Sequence, residues 1–265
     1  MLYAQGRAMK YQYAIFSKLT ALFILLLAVS QSAFSGMTIS GTRIIFPGGE
    51  REQTVRTTNK GPSPLLVQVW VDDGGKNDDI NKIKVPFTTT PPVYRVDPGK
   101  GQSIRLIYNG MNLPQDRESV FWFNMLEIPP MKEGAKETDH LELAFRTRIK
   151  IFYRPSVLKS SSSQEIGKLT WENLGAGKGI KVNNPTPYHF SFDSASLMSG
   201  TVKQPLAVDM IAPFSSKVFL PENKGSVSGA ISGAVVRVIN DYGSVIEYRL
   251  IPASGNTLTI ERKLQ

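Results

Sequence analysis

The sequence predicts an all-β protein: two immunoglobulin-like β-sandwich domains in tandem. Three observations predict it. Short runs of alternating apolar and polar residues recur along the chain, and no helical period appears among them. Clusters of Gly, Pro, Asn and Asp separate these runs at the spacing of a sandwich. A polar, low-complexity stretch, Lys159-Ser-Ser-Ser-Ser-Gln164, divides the runs into two series.

The first 35 residues read as a secretory signal peptide. Arg7, Lys10 and Lys18 form a positive leader, and an apolar run follows over 19–29. That run is shorter than the roughly 20 residues a bilayer span needs. Ala33 and Ser35 supply small residues at the −3 and −1 positions of a cleavage site, so the mature chain is expected to begin at Gly36. A first domain over 36–158 and a second over 159–265 follow, and the mature chain is not expected to insert into a membrane.

In the first domain, strands are expected over 38–46, 53–58, 65–71, 93–96, 103–108, 119–128 and 141–153. Gly48-Gly49, Gly61-Pro62, Asp72-Asp-Gly-Gly75, Pro98-Gly99 and Asn109-Gly110 provide turns between them. Trp70 and Trp122 lie in apolar strands and are expected in the core. In the second domain, strands are expected over 168–172, 180–182, 188–197, 217–220, 234–239, 245–251 and 257–260. No sequence repeat relates the two halves.

The last strand of the first series is the most informative. Leu141, Leu143 and Phe145 alternate with Glu142, Ala144 and Arg146, and the run continues through Ile149, Ile151 and Tyr153 to Pro155. It far exceeds the usual strand of about 5–6 residues. Its far half suits a core, and its near half suits another chain. Alternation alone leaves open whether Leu141, Leu143 and Phe145 face the home core or a partner.

Removing the three basic residues of the leader takes the formal charge from +9 to +6, a moderately basic surface. No Lys/Arg cluster interleaved with aromatics is present, so nucleic acid is not an expected partner. There are no cysteines, so packing alone must hold this exported fold, and thiol catalysis and Cys-based zinc sites are excluded.

Catalytic chemistry has no residues to carry it. The two histidines, His140 and His189, read as ordinary loop and strand residues, and no G-x-S-x-G motif occurs. Gly175-Ala-Gly-Lys-Gly179 is a hairpin turn rather than a phosphate loop, because Gly179 stands where Ser or Thr would hold a metal. Asp72-Asp73 and Asp78-Asp79 fall in a Gly/Asn-rich loop suited to solvated turns. The chain is expected to be no enzyme and to use no cofactor or metal.

Several stretches together resemble the PapD-like periplasmic chaperones of the chaperone–usher pilus pathway. They include Thr42-Arg-Ile-Ile-Phe46, Pro91-Pro92, Asp116-Arg-Glu-Ser-Val-Phe-Trp-Phe-Asn124, Ile128-Pro-Pro130 and Ile149-Lys-Ile-Phe-Tyr-Arg-Pro155. Asn184-Pro-Thr-Pro-Tyr188, Met210-Ile-Ala-Pro-Phe-Ser215 and Ile239-Asn-Asp-Tyr-Gly243 continue the series in the second half. Each is weak alone; their order and spacing carry the resemblance.

The resemblance implies a periplasmic chaperone whose partners are pilin subunits and an outer-membrane usher. It implies that Leu141, Leu143 and Phe145 fill the groove of a pilin lacking its last strand. It implies that Arg43 and Lys150 bind the pilin's C-terminal carboxylate, and that Glu118, Arg154 and Asp241 form an interdomain charge network. Strict alternation puts Lys150 on the face opposite Leu141, Leu143 and Phe145; a bulge, or approach from the other face, would bring it to the cleft. The loop 129–140 is short to intermediate, as in the branch serving rod-like adhesive pili. Self-association of the free chain is left open.

Two rival readings fit less well. An exported β-sandwich ligand-binding module needs an aromatic platform or ligand cluster, and a pilin needs an N-terminal donor extension.

Overall fold

Where the sequence suggests one strand over 38–46, the chain makes two, β1 (Met37–Ile39) and β2 (Arg43–Pro47). The break is Ser40-Gly41-Thr42, where Gly41 takes φ +98°, a conformation costly for any residue with a Cβ. The computed structural model describes Thr20 and residues 36–75, 84–130, 143–175, 177–223 and 230–261. The first domain continues with β3 (Glu52–Asn59), β4 (Leu65–Asp72), β5 (Phe87–Thr90), β6 (Val93–Val96), β7 (Gly101–Tyr108), β8 (Ser119–Ile128) and β9 (Phe145–Arg154).

These strands form two sheets, ordered β1-β3-β7-β5 and β2-β9-β8-β4-β6. The break at Gly41 therefore carries the chain from one sheet to the other. Alternation fills the space between the sheets: Val55 of β3, Val67 and Val69 of β4, Ile104 and Leu106 of β7, Phe123 and Met125 of β8, and Ile151 of β9 are all buried. Burial of such side chains contributes about 1.5–3 kcal/mol each. Phe46, Phe87, Phe121, Tyr108 and Tyr153 add an aromatic cluster with edge-on and tilted contacts, the Phe46–Phe87 centroids lying 5.0 Å apart.

Trp70 and Trp122 are not in this core. Both are half-buried on the outer face of the β4–β8 sheet, under arginines of β9. Alternation tells which residues share a face but not which face is inward, and here the outer face half-buries a tryptophan beneath a guanidinium.

Between the domains, the polar serine stretch makes a single helical turn, α1 (Ser162–Glu165), capped by the Ser161 side chain accepting from Gln164 N. A 3-10 turn over Ile166–Lys168 follows. The second domain comprises β10 (Thr170–Asn173), β11 (Ile180–Asn184), β12 (Ser191–Ser199), β13 (Val202–Ala207), β14 (Ser215–Pro221), β15 (Gly233–Ile239), β16 (Val245–Pro252) and β17 (Thr257–Ile260). Its strands close on themselves in the order β10-β11-β14-β13-β12-β15-β16-β17, with β17 returning to β10. Trp171, Ile180, Phe190, Leu197, Leu206, Phe219 and Leu250 fill the interior.

Two strands escaped the sequence reading. β5 is only four residues, three of them Thr, and β13 points Gln204 inward and carries Pro205. Both therefore lack a visible apolar alternation. Gly175–Gly179 does turn a hairpin, between β10 and β11.

A strand edge and a cation pair at the domain junction

β9 has two halves with different neighbours. β8 runs antiparallel along its whole length, from Ser119↔Tyr153 to Glu127↔Phe145. On its other side β2 pairs with it in parallel, but only from Arg43↔Lys150 to Pro47↔Arg154. The edge of β9 over residues 145–149 therefore faces no strand among the described residues, leaving backbone groups open to another chain.

Side chains divide at the same place. Ile149 and Ile151 are buried, whereas Phe145, on the same face, is 62% exposed and Leu143 57%. The core ends beneath Ile149 and the strand projects past it. The strand begins at Phe145, later than the expected 141–153; Leu143 precedes it outside any regular element, and Leu141, like His140 and most of the loop 129–140, lies outside the described residues.

The β8–β9 register is unbroken, so no bulge intervenes before Lys150. Lys150 lies on the face opposite Phe145 and reaches the domain junction from there. Directly beside it stands Arg43. The Arg43 guanidinium lies 5.7 Å from the centre of the Phe152 ring, and its Nη1 donates to the Ile239 carbonyl of the second domain at 3.2 Å. Its buried Nε has no partner among the described residues.

Burial lowers the Arg43 pKa, against opposing pulls from Asp241 and Glu118. Burial also lowers the Lys150 pKa, with Arg43 and then Arg148 adding to the effect and Asp209 of the second domain opposing it. Two adjacent, partly desolvated cations with a donor to spare form a site that favours an anion.

Next to this pair, Arg154 ties the domains together. Its Nε donates to Glu118 Oε1 at 2.8 Å and its Nη1 to Asp241 Oδ2 at 2.8 Å. Burial alone would lower the Arg154 pKa, but the bonds to Asp241 and Glu118 raise it overall. Glu118 Oε2 also accepts from the backbone N of His189 at 2.8 Å, and Ser162 Oγ donates to Asp241 at 3.2 Å. The arginine stacks 5.2 Å from the Tyr188 ring centre, and outside it Arg117 lies 5.0 Å from the centre of the Phe214 ring.

Sequence reasoning missed several of these contributors. His189 is no ordinary strand residue: it is buried at the junction, its Nδ1 3.3 Å from Glu118 and its ring 5.5 Å from Phe152. Asp209 and Ser162 were equally invisible, since each acts across a fold contact with no local motif. Among the described residues, no group of three or more His, Asp or Glu is placed to hold a metal.

A two-domain β-protein with a half-paired strand and a cationic junction is the architecture of a pilus-assembly chaperone. Residues 36–159 match the family described as pili and flagellar-assembly chaperone, PapD N-terminal domain, and residues 164–250 match its C-terminal domain. The chain belongs to this family, and pilus assembly by the chaperone–usher route is its role. It is 46% identical over 232 residues to the probable fimbrial chaperone YadV of Escherichia coli strain K12, covering 85% of this chain and 93% of that protein. The crystal structure of the YadV chaperone matches with a TM-score of 0.67 at 44% identity, over 80% of this chain and 98% of that one. The Salmonella enterica SafA pilin in complex with the SafB chaperone matches with a TM-score of 0.68 at 26% identity, over 84% of this chain and 99% of that one.

Proposed function

We propose that this chain captures pilin subunits in the periplasm by lending them the near half of β9, and passes them to an outer-membrane usher without catalysing a reaction or holding a cofactor. Export follows from cleavage after Ser35, leaving a first domain over 36–158 and a second over 159–265. Among the described residues, no helix is long and apolar enough to cross a membrane.

One observation carries the reading: the open edge of β9, with Leu143 and Phe145 exposed beside it, runs directly into the Arg43–Lys150 pair. A pilin missing its last strand has an apolar groove and unpaired edges. Backbone pairing along residues 145–149 satisfies its edge, and Leu143 and Phe145, with Leu141 ahead of them, enter the groove. The pilin's terminal carboxylate takes the charge-assisted bonds of Arg43 and Lys150. That fixes the register, which a two-residue side-chain period otherwise leaves open to slips. Glu118, Arg154 and Asp241 set the angle between the domains and so hold the cleft in shape.

Co-expression with candidate pilins should yield a one-to-one complex from the periplasm, and that complex should bind the usher. Pilin that accumulates equally well without the chaperone would overturn the proposal.

A further inference from the structure

The half of β9 offered to a client has little beneath it. Phe145 is exposed, Thr147 is only half-buried, and one edge is open, so the home core holds this segment only at its end, Ile149. The opposite face supplies what the core does not. There Arg146 and Arg148 converge on Asp72, a carboxylate at the end of β4 whose side chain is only 6% exposed.

Asp72 Oδ2 accepts from Arg146 Nη2 at 3.1 Å and from Asn124 Nδ2 at 2.8 Å. Asp72 Oδ1 accepts from Arg148 Nη2 and, at 2.8 Å, from Gly74 N. Four donors fill the acceptor capacity of one carboxylate. Buried Asn124 of β8 completes the array, its Oδ1 taking Arg146 Nη2 at 2.7 Å and Nε at 3.0 Å. Each guanidinium also covers an indole: Arg146 lies 5.0 Å from the centre of the Trp70 ring and Arg148 4.9 Å from that of Trp122. Gly74, with φ +87°, leaves room for Trp122, since a Cβ there would come within 2.5 Å of the indole.

We propose that Asp72 is a positioning residue for client capture: with Asn124, Trp70 and Trp122 it clamps Arg146 and Arg148 and holds Phe145–Ile149 extended against β8 before a pilin arrives. The inference rests on the donor-strand reading above and adds how the lent strand is kept ready. A segment ordered in advance spares the complex the entropy of ordering it. Exposed ion pairs contribute little on their own, but this carboxylate is buried, fully bonded and shared by three strands.

Hydrogen exchange on the free mature chain tests the clamp without any client. Asp72→Asn should speed exchange over residues 145–149 by about tenfold, since both charge-assisted bonds weaken, while residues 150–154 keep wild-type protection. Arg146→Lys, a milder change that keeps the charge but loses the fork, should give an intermediate increase. Association with a pilin subunit that co-purifies with the wild-type chain should slow in the same order, more for Asp72→Asn than for Arg146→Lys, as the fraction of ordered segment falls. Equal protection loss over 145–149 and 150–154, or unaltered exchange in both variants, would overturn the clamp. So would faster exchange with unaltered pilin association. Leu143→Glu reports separately on the donor-strand reading: if it still captures pilin, that reading fails whatever the exchange data give.

Discussion

Arg43 and Lys150 stand directly opposite one another on adjacent parallel strands, two like charges brought together at the junction of two domains. A fold gains nothing from that arrangement by itself. It becomes favourable when an anion sits between them, and the first two predictions follow from this.

Arg43→Ala and Lys150→Ala should each leave the chaperone folded and sharply reduce pilin accumulation. Each loses a charge-assisted partner of about 1.5–3 kcal/mol. Arg43→Lys should also be impaired, because the planar fork is lost. The check is periplasmic pilin level beside each variant's melting curve; normal pilin levels would remove the anchor assignment.

Lys150→Met should stabilise the free chaperone at neutral pH while abolishing capture. Its pKa is lowered in the folded chain, by burial first and by Arg43 second, so between that value and the ordinary 10.5 the unfolded chain binds more protons. The penalty is fully present below the folded pKa and fades as pH rises toward 10.5. The variant's advantage in denaturant midpoint should therefore shrink with rising pH over that window. Each kcal/mol relieved corresponds to about 2–4 °C in melting temperature for a chain of this size. A variant less stable than wild type at pH 7 would contradict the prediction.

At the junction, Glu118→Gln should cost more than Asp241→Asn. The Glu118 side chain is 2% exposed and the Asp241 side chain 18%, and Glu118 also holds the His189 backbone. Removing one partner of a buried arginine costs up to about 3–5 kcal/mol, and less where water reaches the remaining charge. Limited proteolysis should show faster cutting near 159–164 with both domains still folded. Digestion identical to wild type would argue against a structural role for the network.

Leu143→Glu and Ile151→Glu should have opposite effects. Leu143 is exposed and Ile151 is fully buried, so the first should abolish pilin binding with little loss of stability. The second should destabilise the free protein by several kcal/mol. Denaturant midpoints and a pull-down on both variants decide it; equal unfolding by both would make β9 an ordinary core strand.

The division of β9 into two halves is legible in the sequence because the strand carries it locally, whereas Arg43, Lys150, Glu118, Arg154 and Asp241 stand out only through the family resemblance. The apolar-to-basic run and its excess length show in the residue order alone. What stayed hidden depends on faces and on distance in the chain. Period two tells which residues share a face but not which face is inward, so an apolar strand alone points Trp70 and Trp122 to a core they do not enter. Asp72 looked like a turn aspartate because its partners, Arg146 and Arg148, are more than 70 positions away. The sheet switch at Gly41 was masked by apolar residues on both sides of the break. His189 gave no local sign of Glu118, 71 positions before it.

The partial cover that β2 gives β9 also sets a direction and a limit. A visiting strand whose carboxylate stops at Lys150 must travel toward it from Phe145, parallel to β9 and end to end with β2. The resident strand then acts as a buffer stop at Arg43, where the visitor's track runs out. Pilins carrying even a few residues beyond their natural C-terminus would meet β2 head-on. They would have to slip by whole two-residue steps to keep their apolar side chains facing the groove.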